Sequence, residues 1–250
     1  MGDPLRLYGL NAVVFRAASG IGEAVARTLV KHGANVIAVD GTNSGVERHF
    51  SNVKGITGMA ARFTDTDALP QIVDDAVEKL GTLDILVNDF SPQTSTPVTE
   101  ADSAFEDMLK ARALRTTAAF RAALPHMKKS PAGRIINFGF LRSCFAAEAG
   151  NVFARAEQDL AALTRALAAE TGEFGITVNY IQPGAIMTPE SREVFRKNKA
   201  LRDYCIQGSA ARRVGEPVDV GKVALFLASG DAVFVSGTGI AVDGGRTYTD

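Results

Sequence analysis

The 250-residue chain carries 27 Lys and Arg against 28 Asp and Glu, a formal charge of −1. That near-neutrality argues against a nucleic acid or an anionic membrane as the main partner, because phosphate recognition shows as a basic excess. With 46% hydrophobic and 22% charged residues, the composition is globular and excludes disordered, collagen-like and disulfide-stapled classes. Two cysteines, Cys144 and Cys205, are too few for a disulfide framework, are not spaced as a metal pair, and read as reduced thiols. The first fifteen residues do not read as a signal peptide, and no run approaches the roughly 18 apolar residues of a membrane span. The expectation is a soluble, cytoplasmic protein with no metal.

In chain order, short apolar runs predict strands over Asn11–Phe15, Asn35–Val39, Gly58–Phe63, Ile85–Asn88, Arg134–Phe138, Thr177–Ile181 and Gly239–Val242. Most are continuously apolar, as strands covered by helices on both faces should be. Between them, apolar residues at three-to-four spacing predict helices over Ile21–His32, Leu69–Leu80, Ser103–Lys128, Val152–Glu173 and Val218–Ala228. The segment Pro183–Gln207 is rather basic and reads as an exposed pair of amphipathic helices. Strands alternating with helices, without linker or repeat, predict one α/β domain over residues 1–250, a doubly wound Rossmann-type fold on a seven-stranded parallel sheet. In such a fold ligands sit at the carboxyl ends of the strands, near the switch in strand order.

The segments Leu83-Asp84-Ile85-Leu86-Val87-Asn88, Gly133-Arg134-Ile135-Ile136-Asn137, Thr177-Val178-Asn179, Pro183-Gly184, Gly215-Glu216-Pro217 and Val242-Asp243-Gly244-Gly245 together resemble the short-chain dehydrogenase/reductase family. The resemblance covers nearly the full length. It implies an NAD(P)-binding fold that moves a hydride to or from a carbonyl or alcohol carbon, in dimers or tetramers.

The family's dinucleotide turn, T-G-x-x-x-G-x-G, reads here Phe15-Arg16-Ala17-Ala18-Ser19-Gly20-Ile21-Gly22. Gly20 and Gly22 remain, as helix–strand packing alone would require, but Arg16 replaces the first glycine and should distort the turn or enter the nucleotide groove. Asp40 ends the second strand where an acid would hold the adenosine ribose, and it reads equally as a solvated strand end. Arg62 stands where the family has an adenine-binding Asp, with Asp65 three residues on, and Asn88-Asp89-Phe90-Ser91 stands for N-N-A-G. Gly20, Gly22, Asp40 and Asn88 are therefore vestigial cofactor positions, and Arg16, Arg62 and Phe90 are expected to block the groove.

The family's chemistry uses a Tyr for proton transfer, a Lys four residues on that lowers the Tyr pKa, a Ser that polarises the carbonyl and an Asn on a proton path. At these places stand Phe153, Glu157, Phe140 and Arg112. A phenylalanine ring has no proton to exchange, and a carboxylate disfavours a phenolate. Ser143, Tyr180 and Tyr204 are the hydroxyls that could stand in. Phe90, Phe140 and Phe153 are expected to converge as an apolar plug, with Arg112 and Glu157 as an ion pair.

These losses predict no bound cofactor in this chain and a non-catalytic subunit, structural or regulatory, assembled in a dimer or tetramer with an active short-chain dehydrogenase subunit that holds NAD. Heteromeric members of this kind are known to pair a degenerate with an active subunit, and a hydroxyacyl-CoA is a candidate substrate. Two alternatives stay open. One is an NAD(P)-dependent oxidoreductase with a relocated proton donor. The other is a binding protein for an anionic compound, with Arg16, Arg62, Arg112, Arg142 and Arg155 lining a groove.

Overall fold

The computed structural model describes residues 7–91, 97–99 and 104–246. Seven parallel strands form one sheet: β1 (Asn11–Phe15), β2 (Asn35–Asp40), β3 (Ile56–Ala60), β4 (Ile85–Asn88), β5 (Arg134–Phe138), β6 (Thr177–Pro183) and β7 (Gly239–Val242). Their spatial order is β3-β2-β1-β4-β5-β6-β7. The order reverses between β1 and β4, so the carboxyl ends of these two strands frame the crevice where such folds bind ligands. Every residue of β1, β4, β5 and β6 is buried, whereas β7 at the edge is half exposed. That explains why most strands read as unbroken apolar runs.

Among the described residues eight α-helices surround the sheet: α1 (Gly20–Lys31), α2 (Val46–Phe50), α3 (Leu69–Leu80), α4 (Ala104–Met127), α5 (Gly150–Thr171), α6 (Pro189–Lys197), α7 (Lys199–Gln207) and α8 (Pro217–Ala228). In α1, Ile21, Val25, Ala26 and Leu29 recur at helical spacing and form the buried stripe. Together with α8 this helix covers one face of the sheet, while α3, α4 and α5 cover the other. The helix ends follow local chemistry. Pro217 opens α8 behind a capping box of Glu216 and Asp219, and Gly81, at φ 84°, ends α3.

The doubly wound fold and all seven strands are as the sequence implies, with differences at the margins. The third strand runs over Ile56–Ala60 and not Gly58–Phe63, because Phe63 leaves the sheet to join the core under α3 and α4. Gly58 lies so close to α2 that an added Cβ would meet the Val46 carbonyl oxygen at 2.4 Å. The short α2 carries too few residues to show a periodicity. The fourth helix starts at Ala104, and the expected first residue, Ser103, lies outside the described residues. The fifth runs from Gly150 to Thr171, and the expected tail to Glu173 is a 3-10 turn. The Pro183–Gln207 segment does form two helices, α6 and α7.

The turn from β1 to α1 sets the position of the crevice. A Cβ on Gly22 would lie 2.0 Å from the Arg16 carbonyl oxygen, so the helix can approach the strand only with glycine there. Replacing Gly22→Ala should therefore destabilise the fold by about 2 kcal/mol or more, because the opposing atom is backbone and cannot move aside. Urea denaturation checks this, with the expected change in the midpoint and not in the slope.

Candidate functional site

At the β1 end, Arg16 adopts φ 58°, a left-handed conformation that costs a non-glycine residue about 1 kcal/mol. Its side chain reaches across to the end of β4. There the guanidinium donates to the Ser91 carbonyl oxygen and lies 3.8 Å from the Asp89 carboxylate. It also sits 5.7 Å from the centre of the Phe63 ring. Asp89 is buried, and its Oδ1 also accepts from the Ser91 amide at 3.0 Å.

The crevice beside this arm holds a cavity of about 50 Å³ between the glycine turn, the ends of β4 and β5 and the start of α6. Ser19, the residue preceding α1, donates its hydroxyl to Glu190 Oε1 at 3.1 Å. A carboxylate thus stands at a helix N-terminus, the position that favours an anion. Thr188 lies over the turn, with its Cβ and methyl 3.3 Å from where a Gly20 Cβ would be. Thr188 and Ser191 cap α6 reciprocally, the Ser191 amide donating to Thr188 Oγ1 at 3.1 Å and the Thr188 amide to Ser191 Oγ at 2.8 Å. Asp40 accepts the Ala18 amide at 2.8 Å on one oxygen and the Gly41 amide at 2.7 Å on the other, so it ties β2 to the turn. Asn88 donates to Asn137 Oδ1 at 2.9 Å across neighbouring strands.

At the tetrad positions the hydroxyls of Tyr and Ser, the Lys ammonium and the Asn amide are gone. Phe153, in the first turn of α5, packs edge-on against Phe145 at 5.4 Å, and Phe140 lies 6.2 Å from Phe145. Arg112 of α4 is 1% exposed and stacks on Phe140, its guanidinium carbon 4.2 Å from the ring centre. Its Nη2 donates to the Ala156 carbonyl oxygen at 2.7 Å and to Asp159 Oδ2 at 3.2 Å, while Nε and Nη1 have no partner. Burial pushes its pKa down, and Asp159 opposes that shift. Glu157 is pushed up by burial and then by the nearby Asp243 charge.

Four expectations need correction. The Arg112 counter-ion is Asp159, two residues further on, and not Glu157: the one nitrogen Nη2 reaches both the Ala156 carbonyl oxygen and the Asp159 carboxylate. Phe90 does not join Phe140 and Phe153. It packs against Phe15 at 5.2 Å and Phe63 at 6.2 Å in the core beneath α4, where a fully apolar ring is better buried than left in the crevice. Arg62 does not block the groove either, since its side chain is 78% exposed and only approaches Asp65 at 3.9 Å. The five arginines share no groove: Arg155 pairs with Glu106 at 2.7 Å, Arg142 is buried elsewhere, and the others are placed as above.

The stand-in hydroxyls are dispersed. Ser143 is buried and lines the crevice, Tyr180 is buried on β6 against α5, and Tyr204 lies on α7 within 3.0 Å of an Arg246 nitrogen. Cys144, in the same crevice, is pushed up to about 12 by burial, and so is held as the inert thiol. Among the described residues no cluster of His, Cys, Asp and Glu could hold a metal, and no helix is long and apolar enough to cross a membrane. Sequence reasoning missed Asp159, Phe145 and Glu190. Helical spacing from Arg112's partner helix could have suggested Asp159, but Glu190 is 171 residues from Ser19 and carries no local signal.

Two outcomes follow for the buried charges. Asp159→Ala should destabilise by about 1–2 kcal/mol, because it leaves the guanidinium without its carboxylate, whereas Arg112→Leu should be neutral or stabilising. Chemical denaturation of both variants checks the asymmetry. Because Glu157 has a raised pKa in the folded chain, its ionisation opposes folding, so stability is lost as pH rises above the unfolded value. Glu157→Gln should raise the melting temperature at pH 7 and leave it unchanged near pH 4, read by thermal unfolding.

A family profile described as enoyl-(acyl carrier protein) reductase matches residues 17–247. An L-fucose dehydrogenase of Oryctolagus cuniculus is 32% identical over 250 residues, covering 98% of this chain and 87% of that protein. Oxidoreductase UcpA of Escherichia coli (strain K12) is 29% identical over 258 residues, covering 98% and 97%. Among solved structures, a candidate gluconate dehydrogenase from Agrobacterium tumefaciens superposes with a TM-score of 0.83 at 27% identity, covering 96% of this chain and 97% of that one.

Proposed function

The chain belongs to the short-chain dehydrogenase/reductase family of oxidoreductases, and from that premise we propose that it is a non-catalytic member, a structural or regulatory subunit working beside an active NAD-dependent one. The observation that carries this reading is the replacement of the proton-transfer centre by a packed core. Phe153 is locked edge-on against Phe145, Arg112 is stacked on Phe140, and the position of the helper ammonium carries Glu157. Neither phenylalanine has a proton to exchange, and the tyrosine–lysine pair that performs the family's step has no counterpart at these positions.

The crevice also fits a nicotinamide dinucleotide poorly. A pyrophosphate at the α1 N-terminus would meet the Glu190 carboxylate already there, with buried Asp89 nearby. Like charges in a confined, partly desolvated site repel strongly. The Arg16 arm crosses between the ends of β1 and β4, Thr188 closes on Gly20, and both Asp40 oxygens already accept backbone amides. In this reading NAD is held by the partner subunit and not by this chain.

Assembly is supported by what lies outside the crevice. Leu114 on the long α4 is 61% exposed, and Val233 and Phe234, between α8 and β7, are exposed as well. Val233 and Phe234 border one surface recess with Ala168 and Ala169 of α5, and a contiguous exposed apolar patch of this kind marks an association surface. The partner is an active short-chain dehydrogenase subunit, with a hydroxyacyl-CoA as the candidate substrate of the pair.

A second reading, an NAD(P)-dependent oxidoreductase with a relocated proton donor, is favoured by the similar proteins being named dehydrogenases and by Ser143 lining the crevice. Calorimetric titration with NAD and NADP separates the two. The purified chain is expected to give no saturable heat and no turnover alone, and to co-purify with an intact family member. Tight coenzyme binding with turnover by this chain alone, abolished in Ser143→Ala, would establish the second reading instead.

A further inference from the structure

A second, small cavity, of about 20 Å³ and partly open to solvent, lies among the Arg142 loop, the residues after β6, α7 and the residues after β7. Its lining carries Arg142, Arg213 and Arg246 against a single carboxylate, Asp243. Arg213 has its own counter-ion, Asp219 at 3.0 Å. Arg142 differs. It is 1% exposed, and among the described residues it forms no ion pair. Nη1 donates to the Phe145 carbonyl oxygen at 3.1 Å and Nη2 to that of Ala147 at 2.9 Å, while the buried Nε has no partner.

The surroundings treat this guanidinium as a cation. Its central carbon lies 5.6 Å from the Phe153 ring centre and 5.1 Å from that of Tyr204. Arg246 shares the same two rings, at 5.5 and 5.7 Å, and its Nη2 donates to the Tyr204 hydroxyl at 3.0 Å. Aromatic faces and carbonyl oxygens soften the cost of burying a charge but do not neutralise it. Burial first, and then the Arg246 charge, draw the Arg142 pKa down, although an arginine stays protonated at any physiological pH. A buried cation facing a cavity beside a second cation is most stabilised by an anion in that cavity.

We infer that this cavity receives the carboxylate group of a small organic acid, whose remainder stays in solvent at the mouth, between Arg142 and Arg246 beside Tyr204. A planar monoanion suits guanidinium donors, and Asp243 in the same lining works against a dianion such as phosphate. The inference goes beyond the reading of the coenzyme crevice and stands independently of it, since different residues bound the two spaces.

Isothermal titration of the full-length chain with acetate, benzoate and inorganic phosphate tests it. Saturable one-to-one binding of a carboxylate, at least tenfold weaker in Arg246→Gln, is the expected result. Because Arg142 is buried and its substitution can unfold the chain, the partly exposed Arg246 is the variant of choice, with circular dichroism showing that it folds. Absence of saturable binding by either carboxylate, affinity unchanged in Arg246→Gln, or phosphate bound more tightly than the carboxylates would overturn the inference. Coenzyme binding in a parallel titration with NAD would count against the non-catalytic reading and leave the carboxylate site untouched.

Discussion

Two guanidinium groups buried against aromatic rings organise the heart of this molecule. Arg112 and Arg142 are each 1% exposed, and between them they touch Phe140, Phe153 and Tyr204. A buried cation must be given acceptors, so the Arg142 loop folds to aim the Phe145 and Ala147 carbonyls at it, and α5 offers the Ala156 carbonyl and Asp159 to Arg112. In doing so the loop delivers Phe145 between Phe140 and Phe153. The rings and the cations are one construction: cations stack on the faces, and the rings shield them from water.

The scaffold around this centre is otherwise that of its relatives. The sheet order is that of a doubly wound fold, Gly20 and Gly22 remain in the altered turn, and a candidate gluconate dehydrogenase superposes over nearly the whole chain. Fold and chemistry are separable, since a sheet needs only its apolar strands and close-packed turns while a site needs particular atoms. Gly22 illustrates the first need. It is required by the Arg16 carbonyl oxygen, whatever the crevice holds.

Much of this was legible in the residues. Unbroken apolar strands and three-to-four helical spacing located all seven strands and every long helix to within a few residues. The tetrad substitutions were legible too, because they replace one residue at a fixed place in a recognisable segment. What could not be read was direction. Nothing local says that Phe90 sinks into the core with Phe15 and Phe63 while Phe140 stacks under Arg112, because the choice depends on which neighbours are brought in by other strands. The Arg112 partner was misassigned for the same reason: Glu157 and Asp159 lie on one helix, and only the path of a long side chain past the Ala156 carbonyl selects between them. The boundary of β3 failed because an aromatic in a loop has the same hydrophobicity as one in a strand.

The ion pair of Arg16 and Asp89 couples the turn after β1 to the end of β4. The carboxylate is 6% exposed, and its neighbour holds a left-handed backbone that glycine would adopt without strain. Restoring that glycine first would strand a buried anion, and neutralising the acid first would leave a strained arginine with less reason to stay. The residue at the end of β1 and the acid after β4 are therefore coupled, and neither can be exchanged without altering the setting of the other.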